Sequence, residues 1–257
     1  MAATAILSAL EQEQQGLLAQ LERTRRVRRG GRDFWCGTLH GMPVVLALSR
    51  IGKVAAATTA TTLIEAFDAT RIVFTGVAGG LGTQVQVGDV VVASHFVQHD
   101  MDASPLFPRF EIPLYQRTQF ACDPHLTELL ARACRNAIDG LPPVAAIGRA
   151  PTVHQGLIAS GDRFIATTQT AREVRLALGA QAMDALAVEM EGGAVAQVCH
   201  DYGIAFAAAR TISDRADDTA PVDFQQFIDA VAAIYARRIV DGFLRALAGA
   251  SDSRRAS

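Results

Sequence analysis

The feature that most constrains the fold is a regular alternation of short runs rich in β-branched residues with longer segments of helical spacing. The short runs predict strands over Thr4–Leu7, Phe34–Thr38, Pro43–Ser49, Arg71–Gly76, Asp89–Gln98, Thr152–Ala159, Ala185–Glu189 and Ala205–Ile212. The longer segments predict helices over Glu11–Arg23, Lys53–Phe67, Pro124–Ile138, Thr170–Leu178, Gly192–Tyr202 and Val222–Leu247. This alternation predicts an α/β layer fold with a largely buried sheet.

Size and composition favour a single domain. With 257 residues, 50% of them hydrophobic and 19% charged, the chain is long enough to bury a sizeable core in one domain or at most two. We interpret it as one domain over residues 1–247, followed by a small polar tail over 248–257 that is expected to fray. The first ten residues lack the basic start of a signal peptide, and no run approaches the roughly 18 apolar residues of a membrane span. A soluble, cytoplasmic protein with no membrane partner is expected.

Cysteine and charge patterns argue against several kinds of site. The cysteines are scattered, with no CxxC pair: Cys36, Cys122, Cys134 and Cys199. Free thiols and no zinc site are therefore expected. The basic run Arg23–Arg29 could touch a polyanion, but the net charge of −2 and the lack of a second basic cluster favour a solvated turn and no nucleic-acid partner. The group His99-Asp100-x-Asp102 lacks a second cluster of ligands, so no metal is predicted.

Two stretches place acidic residues where hydrophobic strands stop. They are Val188-Glu189-Met190-Glu191-Gly192-Gly193 and Ala209-Arg210-Thr211-Ile212-Ser213-Asp214. Ligands of α/β proteins bind at the carboxyl ends of strands, and two carboxylates brought together there can break a glycosidic bond. The glycine cluster Gly76–Gly82 also follows a strand, but it is neither GxGxxG nor a P-loop, so it fits a tight turn as well as a nucleotide site.

A further set of motifs occurs in a fixed order along the chain. They are Ser49-x-Ile51-Gly52-Lys53-Val54-Ala55-Ala56, Thr75-Gly76-x-Ala78-Gly79-Gly80, Val87-Gly88-Asp89-Val90-Val91, His99-Asp100-x-Asp102, Gly156-Leu157-Ile158-x-Ser160-Gly161-Asp162-x-Phe164-Ile165, Val188-Glu189-Met190-Glu191 and Arg210-x-Ile212-Ser213-Asp214. Together they resemble the 5′-methylthioadenosine/S-adenosylhomocysteine nucleosidases of the nucleoside phosphorylase-like group. The resemblance implies a single three-layer α/β domain with a mixed central sheet flanked by helices, no cofactor, and usually a homodimer.

The resemblance also implies catalytic roles. Asp214, aided by Ser213, would protonate N7 of adenine and so make the base a neutral leaving group. Glu13 would activate water, the co-substrate, and Arg210 would help to orient it. Cleaving a ribosyl C–N bond passes through an oxocarbenium-like transition state, which independently requires an acid on the leaving group and a carboxylate base on the opposite face. The acid must hold its proton near neutrality.

The implied substrate-binding residues surround these groups. Glu191 would bind the ribose 2′- and 3′-hydroxyls, with Met190 packed on the sugar. Phe164 would stack on the purine, and the backbone at Ile165 would read its Watson–Crick edge. The remaining members of the implied substrate-binding set are Ile51 and Phe224 for the 5′-alkylthio group, together with Ala78, Gly79 and Glu189. In the long, proline-containing loop Asp100–Ala121, Leu106 or Phe107 would reach across a dimer to cover the partner's site.

Each of these residues, taken alone, fits a purely structural role. Ser213 and Asp214 are common helix or turn caps, and Glu191 would complement a helix dipole. Glu13 by itself is typical of a solvated surface charge, whereas Phe164 and similar side chains are usually core. It is their joint occurrence in the order of the family that favours the catalytic interpretation.

Two positions depart from the family pattern. Relatives often carry serine where Val77 stands, and valine has no hydroxyl to position the water. Arg50 stands where glycine is common, and an arginine beside the 5′ pocket could pair with a carboxylate, which would favour S-adenosylhomocysteine.

Three other functions remain open at the level of sequence. A nucleoside phosphorylase would share the fold but needs basic residues on phosphate. A different nucleosidase, acting on futalosine or an adenosylated lipid precursor, would keep Glu191 and Asp214 and change the 5′ pocket. A non-catalytic nucleoside-binding module would bind ligand without turnover.

Overall fold

The computed structural model describes residues 3–139, 149–227 and 232–255. The strands in this part are β1 (Ala3–Ser8), β2 (Glu22–Arg29), β3 (Arg32–Leu39), β4 (Met42–Leu48), β5 (Ala69–Gly80), β6 (Val90–Gln98), β7 (Gln119–Ala121), β8 (Val153–Ser160), β9 (Ala185–Glu189) and β10 (Ala205–Asp214). The helices are α1 (Glu11–Leu18), α2 (Lys53–Phe67), α3 (Pro124–Ile138), α4 (Thr168–Gly179), α5 (Gly192–Tyr202), α6 (Ala220–Phe227) and α7 (Ala233–Arg255). Across these described ranges, no helix is both long and apolar enough to cross a membrane.

The strands form one mixed sheet, ordered β10-β6-β8-β9-β5-β1-β4-β3-β2, with β7 beside β6. β10 also pairs with β5, in parallel, so β5, β10, β6, β8 and β9 close into a ring from which β1, β4, β3 and β2 extend. The pairs of β1 with β4 and β5 are parallel, whereas β10 with β6 and β5 with β9 are antiparallel. The predicted mixed sheet is confirmed.

Helices cover both faces of the sheet. Neighbouring residues of a strand point to opposite faces, so Ile6 joins a buried cluster that includes α3 and α7, and Leu7 joins one that includes α2 and α5. Strongly amphipathic α3 shows why the layers form, because Leu126 and Leu130 are buried while its opposite face is exposed. The three-layer α/β architecture predicted from the sequence is confirmed.

The basic run predicted to be a solvated turn is instead an exposed strand. β2 pairs antiparallel with β3 through a tight turn at Gly30 and Gly31, both with positive φ. Every residue of β2 is exposed except half-buried Val27. The prediction was wrong because a strand that faces solvent on both sides carries no alternation of apolar and polar residues.

Two predicted helices have different bounds. α1 ends at Leu18 rather than Arg23, because the chain must turn before the β2–β3 hairpin begins. The segment predicted as one helix over Val222–Leu247 contains α6 and α7, and residues 228–231 between them lie outside the described residues. α7 continues to Arg255, so the backbone of most of the expected tail is helical.

The long segment Asp100–Ala121 is an ordered loop, as predicted. It is a series of turns with one bridge between Ile112 and Arg117, and it ends in the short strand β7. Phe110 and Ile112 are buried and anchor it to the body of the protein.

Candidate active site

A cavity of about 440 Å³ opens where β5, β9 and β10 end. Ten of the predicted site residues line it: Ile51, Ala78, Gly79, Phe164, Glu189, Met190, Glu191, Ser213, Asp214 and Phe224. Ile165 lines a small adjoining pocket, and Glu13 lines another together with Gly76 and Val77. A larger groove of about 790 Å³ lies beside α4 and contains none of the predicted site residues. The sheet therefore gathers the carboxylates in one place, as the positions of the strand ends predict.

Asp214 is the last residue of β10 and is almost fully buried. Its Oδ2 accepts a hydrogen bond from the Ser213 hydroxyl at 2.8 Å, and its Oδ1 accepts one from the Ala216 amide at 2.8 Å. Burial raises the pKa of Asp214 above its ordinary value and outweighs these two hydrogen bonds. A Cβ at Gly79 would lie 2.9 Å from Oδ1, so only glycine lets β5 approach this carboxyl group so closely.

Glu13 is 1% exposed, although its surrounding sequence is typical of a surface helix. Its Oε2 accepts hydrogen bonds from the amides of Ala9 and Leu10 at 2.9 and 3.0 Å, which cap the start of α1. Its Oε1 is buried next to Gly76 and makes no well-formed hydrogen bond within the described residues, although the nearby Val77 amide lowers the pKa of Glu13. Burial raises the pKa of Glu13, against the opposing effects of the Leu10 amide and Arg210.

Arg210 and Glu189 form a buried ion pair beneath the cavity. Nη2 of Arg210 donates to Oε2 of Glu189 at 2.8 Å, and the guanidinium lies 4.0 Å from the centre of the Phe74 ring. Both oxygens of Glu189 also accept from the Gly192 amide, and one accepts from the Ser160 hydroxyl. Glu189 is thus committed to contacts within the protein, where it orients Arg210 and the start of α5.

Glu191 occupies the N-cap position of α5 and is 5% exposed. Its Oε1 accepts a hydrogen bond from the Gly52 amide at 2.9 Å. Burial and the neighbouring Glu189 carboxylate raise the pKa of Glu191 to about 7. This carboxyl group therefore changes protonation near neutrality.

Apolar side chains form the other walls of the cavity. Phe164 and Phe224 meet edge to face, with ring centres 5.7 Å apart, and Phe164 is 42% exposed. Ile51, which also lines the cavity, is 59% exposed. Met190 and Val77 also belong to this lining, and Val77 offers no hydroxyl group to the cavity. These surfaces suit a flat ring and an apolar substituent.

Arg50 lies outside this cavity. Its Nη2 donates to the carbonyl oxygen of Gly31 at 2.6 Å, and the side chain lines a separate groove of about 340 Å³ beside Trp35. The predicted pairing of Arg50 with a carboxylate of the 5′ group therefore has no support in the geometry. Leu106 and Phe107 lie on the long loop and do not line the cavity of their own chain.

Sequence reasoning assigned no role to the Gly52 amide or to the residues that hold it. These are Lys53, Asp100 and Asp162. Their motifs, Ile51-Gly52-Lys53, His99-Asp100 and Gly161-Asp162, were visible in the sequence, but a backbone donor leaves no signature beyond its glycine. Within the described part of the chain, no group of three or more potential metal ligands occurs.

The arrangement can perform acid–base chemistry on a small ring-containing ligand. Asp214, with a raised pKa, can hold a proton at one wall of the cavity, and buried Glu13 offers an unpartnered oxygen nearby. Glu191 lies between apolar walls, where it can accept hydrogen bonds from hydroxyl groups.

Comparisons with known proteins find relatives along almost the whole chain. The chain matches the model of the phosphorylase superfamily over residues 3–245. It is 36% identical to the 5′-methylthioadenosine/S-adenosylhomocysteine nucleosidase of Chromohalobacter salexigens, over 96% of this chain and 98% of that protein.

Two solved structures are also similar to this chain. The nucleosidase of Neisseria meningitidis with the same name, in complex with methylthio-immucillin-A, has a TM-score of 0.84 and 35% identity over 95% of this chain and 99% of that one. The futalosine hydrolase of Helicobacter pylori has a TM-score of 0.81 and 29% identity over 94% of this chain and 97% of that one.

Proposed function

Because the chain belongs to the 5′-methylthioadenosine/S-adenosylhomocysteine nucleosidases of the phosphorylase superfamily, we propose that it hydrolyses the N-glycosidic bond of one or both of these nucleosides. The products are adenine and the 5-thioribose compound. The observation that carries the proposal is the placement of two buried acidic groups on neighbouring pockets that share Val77: Asp214, an acid with a raised pKa, in the wall of the main cavity, and Glu13, with an unpartnered oxygen, in the small pocket. This is the pair of groups that inverting hydrolysis of a glycosidic bond requires.

Asp214 acts as the general acid. Because burial raises its pKa, it holds a proton that it donates to N7 of adenine as the C–N bond lengthens. Ser213 and the Ala216 amide fix the orientation of the carboxyl group. Adenine then leaves as a neutral base.

Glu13 acts as the general base on water. Its Oε2 is held by two backbone amides, which leaves Oε1 to accept a proton from a water molecule at the sugar. Gly76 lies beside both groups, since a Cβ there would lie 3.5 Å from Oε1 of Glu13 and 3.6 Å from Cζ of Arg210. Arg210, held by Glu189, orients the base and the water.

The remaining residues position the nucleoside. Glu191 accepts hydrogen bonds from the ribose hydroxyls, while Met190 packs on the sugar. Phe164 stacks on the purine, with the backbones of Ala78, Gly79 and Ile165 around its edge. Ile51 and Phe224 contact the 5′-alkylthio group. These assignments agree with the positions of the side chains around the cavity.

The active form is a homodimer in the cytoplasm. The cavity is open beside Ile51, which is 59% exposed, and Leu106 on the long loop is 85% exposed. Exposed Ile51 at the open cavity is an apolar surface that a partner can cover, and the loop near Phe107 of a second copy presents the apolar side chain of Leu106 for this contact. Sedimentation that gave only a monomer at concentrations at which the enzyme is active would contradict this arrangement.

Futalosine is the second candidate substrate, because the futalosine hydrolase of Helicobacter pylori has a TM-score of 0.81 to this chain. It differs from the first two nucleosides in its base and in its 5′ group. The exposed, apolar 5′ wall at Ile51 favours the alkylthio substituent.

The test measures base release from methylthioadenosine, S-adenosylhomocysteine and futalosine, each with and without phosphate, and identifies the sugar product by mass. We expect adenine and free thioribose at a rate indifferent to phosphate. A sugar 1-phosphate would instead identify a phosphorylase. Turnover of futalosine alone would make futalosine the substrate in place of the two thioadenosine nucleosides. Binding of all three without turnover would leave a nucleoside-binding module.

A further inference from the structure

Three charged residues near the cavity form a closed ring of contacts. Asp100 lies in the loop after β6, Asp162 follows β8, and Lys53 is the first residue of α2. Nζ of Lys53 is 2.5 Å from Oδ1 of Asp100, and the Asp162 amide donates to Oδ2 of Asp100 at 2.8 Å. The Lys53 amide then donates to Oδ1 of Asp162 at 2.7 Å, which closes the ring.

The ring holds the peptide that contacts Glu191. Gly52 immediately precedes Lys53, and its amide donates to Oε1 of Glu191 at 2.9 Å. Gly52 has a φ of +94°, a conformation that L side chains rarely adopt. A Cβ at this position would also lie 3.2 Å from Oδ1 of Asp162. The direction of the Gly52 amide is therefore set by the glycine and by the ring that fixes the next peptide.

The ring sets one cation, Lys53, between two carboxylates, Asp100 and Asp162. Burial raises the pKa of Asp100, but the Lys53 ammonium and the Asp162 amide outweigh it and hold this pKa below its ordinary value. Lys53 is the only lysine among the 24 basic residues of the chain. The pair is partly buried, and its contacts join the start of α2 to the segments after β6 and β8, so we expect its main effect to be local.

We propose that Asp100 and Lys53 are positioning residues for the reaction: they fix the start of α2 so that the Gly52 amide holds Glu191 in place against the ribose. This inference rests on the proposed function, in which Glu191 binds the sugar hydroxyls. Neither residue touches the substrate, and both act through Gly52 and Glu191. The His99-Asp100 motif thus has a role although it binds no metal in this proposal.

A purely structural ring makes a different prediction. If the ring only joins three loops, its loss damages the whole cavity and slows all substrates by the same factor. If it positions Glu191, its loss acts through the ribose hydroxyls, and a substrate that lacks the hydroxyl is insensitive to it. A double-mutant cycle, in which one change is made in the protein and the other removes a hydroxyl from the substrate, distinguishes these two roles of the ring.

The experiment compares Asp100→Ala with wild type on methylthioadenosine and on its 3′-deoxy and 2′-deoxy analogues. We expect kcat/KM for methylthioadenosine to fall about 10-fold, the loss that follows from weakening a hydrogen bond to a charged group. For at least one deoxy analogue the fall should be less than about 3-fold, because the contact weakened by the variant is already absent.

Two further variants complete the test. Lys53→Met should reproduce the pattern of Asp100→Ala, and it replaces that variant if Asp100→Ala fails to fold. The matched control is Asp33→Ala, because Asp33 forms an ion pair of similar length with Arg26, at 2.6 Å, on the hairpin outside the cavity. Asp33→Ala should leave all three rates unchanged. Equal losses on all substrates, or no loss in Asp100→Ala, would overturn the proposal.

A second readout does not depend on turnover. Amide hydrogen exchange at Gly52 and Lys53 should accelerate at least about 10-fold in Asp100→Ala, in keeping with local opening of a peptide that has lost its anchor, and remain unchanged in Asp33→Ala. Unchanged exchange in Asp100→Ala would show that the ring does not hold this peptide. If wild type turned over none of the nucleosides, the proposed function would fail, while the exchange experiment would still decide whether the ring positions Gly52.

Discussion

At the scale of single residues, the site is defined by acidic groups that the protein keeps away from water. Asp214 and Glu13 are both 1% exposed, and burial raises the pKa of each. The surrounding amides and the Ser213 hydroxyl partly offset this effect without removing it. For Asp214 this makes ionisation costly, so the group can retain a proton to donate, whereas for Glu13 the raised pKa makes the ionised form a stronger base toward water.

Asp214→Asn tests the role of the acid. The amide can keep the contact with Ser213 but cannot protonate adenine, so we expect kcat to fall by about 10²- to 10⁴-fold with a smaller change in KM. Steady-state kinetics with methylthioadenosine measures this. Ser213→Ala, which keeps the acid, should retain most of the activity. Near-normal kcat in Asp214→Asn would exclude Asp214 as the acid.

The same substitution should stabilise the fold at neutral and alkaline pH. A raised pKa in the folded state means that Asp214 contributes stability below its unfolded pKa of about 3.9, and that this is lost as pH rises through the folded pKa. The free energy of unfolding falls by about 1.4 kcal/mol for each pH unit that separates the folded pKa from the unfolded pKa. Thermal unfolding should show a higher Tm for Asp214→Asn at pH 8 and equal Tm values below about pH 3.9. A variant less stable than wild type at pH 8 would contradict this.

Val77→Ser should accelerate hydrolysis. Val77 lines both the main cavity and the small pocket that contains Glu13, so a hydroxyl there can hold the water for attack. One added hydrogen bond is worth about 1 kcal/mol, or about 5-fold in kcat. Val77→Ala is the control, because it opens the same space without a hydroxyl. Equal rates for the two variants would show that the hydroxyl does not position the water.

At the scale of elements, tight glycine contacts set the distance between helix and sheet. A Cβ at Gly192, the first residue of α5, would overlap the fully buried ring of Phe96 on β6. α5 carries Glu191 at its N-terminus, so this contact also fixes the distance of that carboxylate from the sheet. The sequence showed two adjacent glycines here but could not show which side chain fills the space.

Gly192→Ala should destabilise the protein by about 1–3 kcal/mol, the usual cost of overpacking. Phe96→Ala alone should cost about 3–5 kcal/mol through the cavity it leaves. The double variant should be more stable than the sum of the two losses, because the new methyl group enters the space of the ring. Urea unfolding of all four proteins measures the interaction. Strict additivity would show that Gly192 and Phe96 do not share this space.

The elements also show what the sequence could not reveal. Buried strands were predictable because they are apolar runs, and in β1 Ile6 and Leu7 each lie in one of two cores on opposite faces of the sheet. β2 was not, because its side chains face solvent and only its pairing with β3 makes it a strand. The early end of α1 has the same origin, because the hairpin that follows it has no apolar pattern to mark its start.

At the scale of the whole molecule, closure of the strand ring brings distant parts of the chain together. β5, β9 and β10 supply Gly79, Glu189 and Asp214. The end of β9 was predicted at the correct residue and that of β10 within two residues, whereas β5 continues to Gly80 through glycines that were predicted to leave the strand at Gly76. Glu13 and Gly52 come from outside the ring, and their places depend on how α1 and α2 begin. Only the resemblance to a family pointed to Glu13, and nothing in the sequence pointed to the amide of Gly52.

The buried pair of Arg210 and Glu189 has a consequence for the thermodynamics of ligand binding. Four acidic residues of the site are each at most 6% exposed: Glu13, Glu189, Glu191 and Asp214. Among the described residues, Arg210 is the buried cation near them, and it pairs with Glu189. One cation cannot balance four ionised carboxylates, so some of these groups hold protons near neutrality, and a nucleoside that changes their environments exchanges protons with solvent. Calorimetric titration with a non-hydrolysable analogue near pH 7 should therefore give enthalpies that depend on the ionisation enthalpy of the buffer. Identical enthalpies in phosphate and Tris would contradict this exchange of protons. A difference would mean that the affinity of this enzyme for its ligand changes with pH.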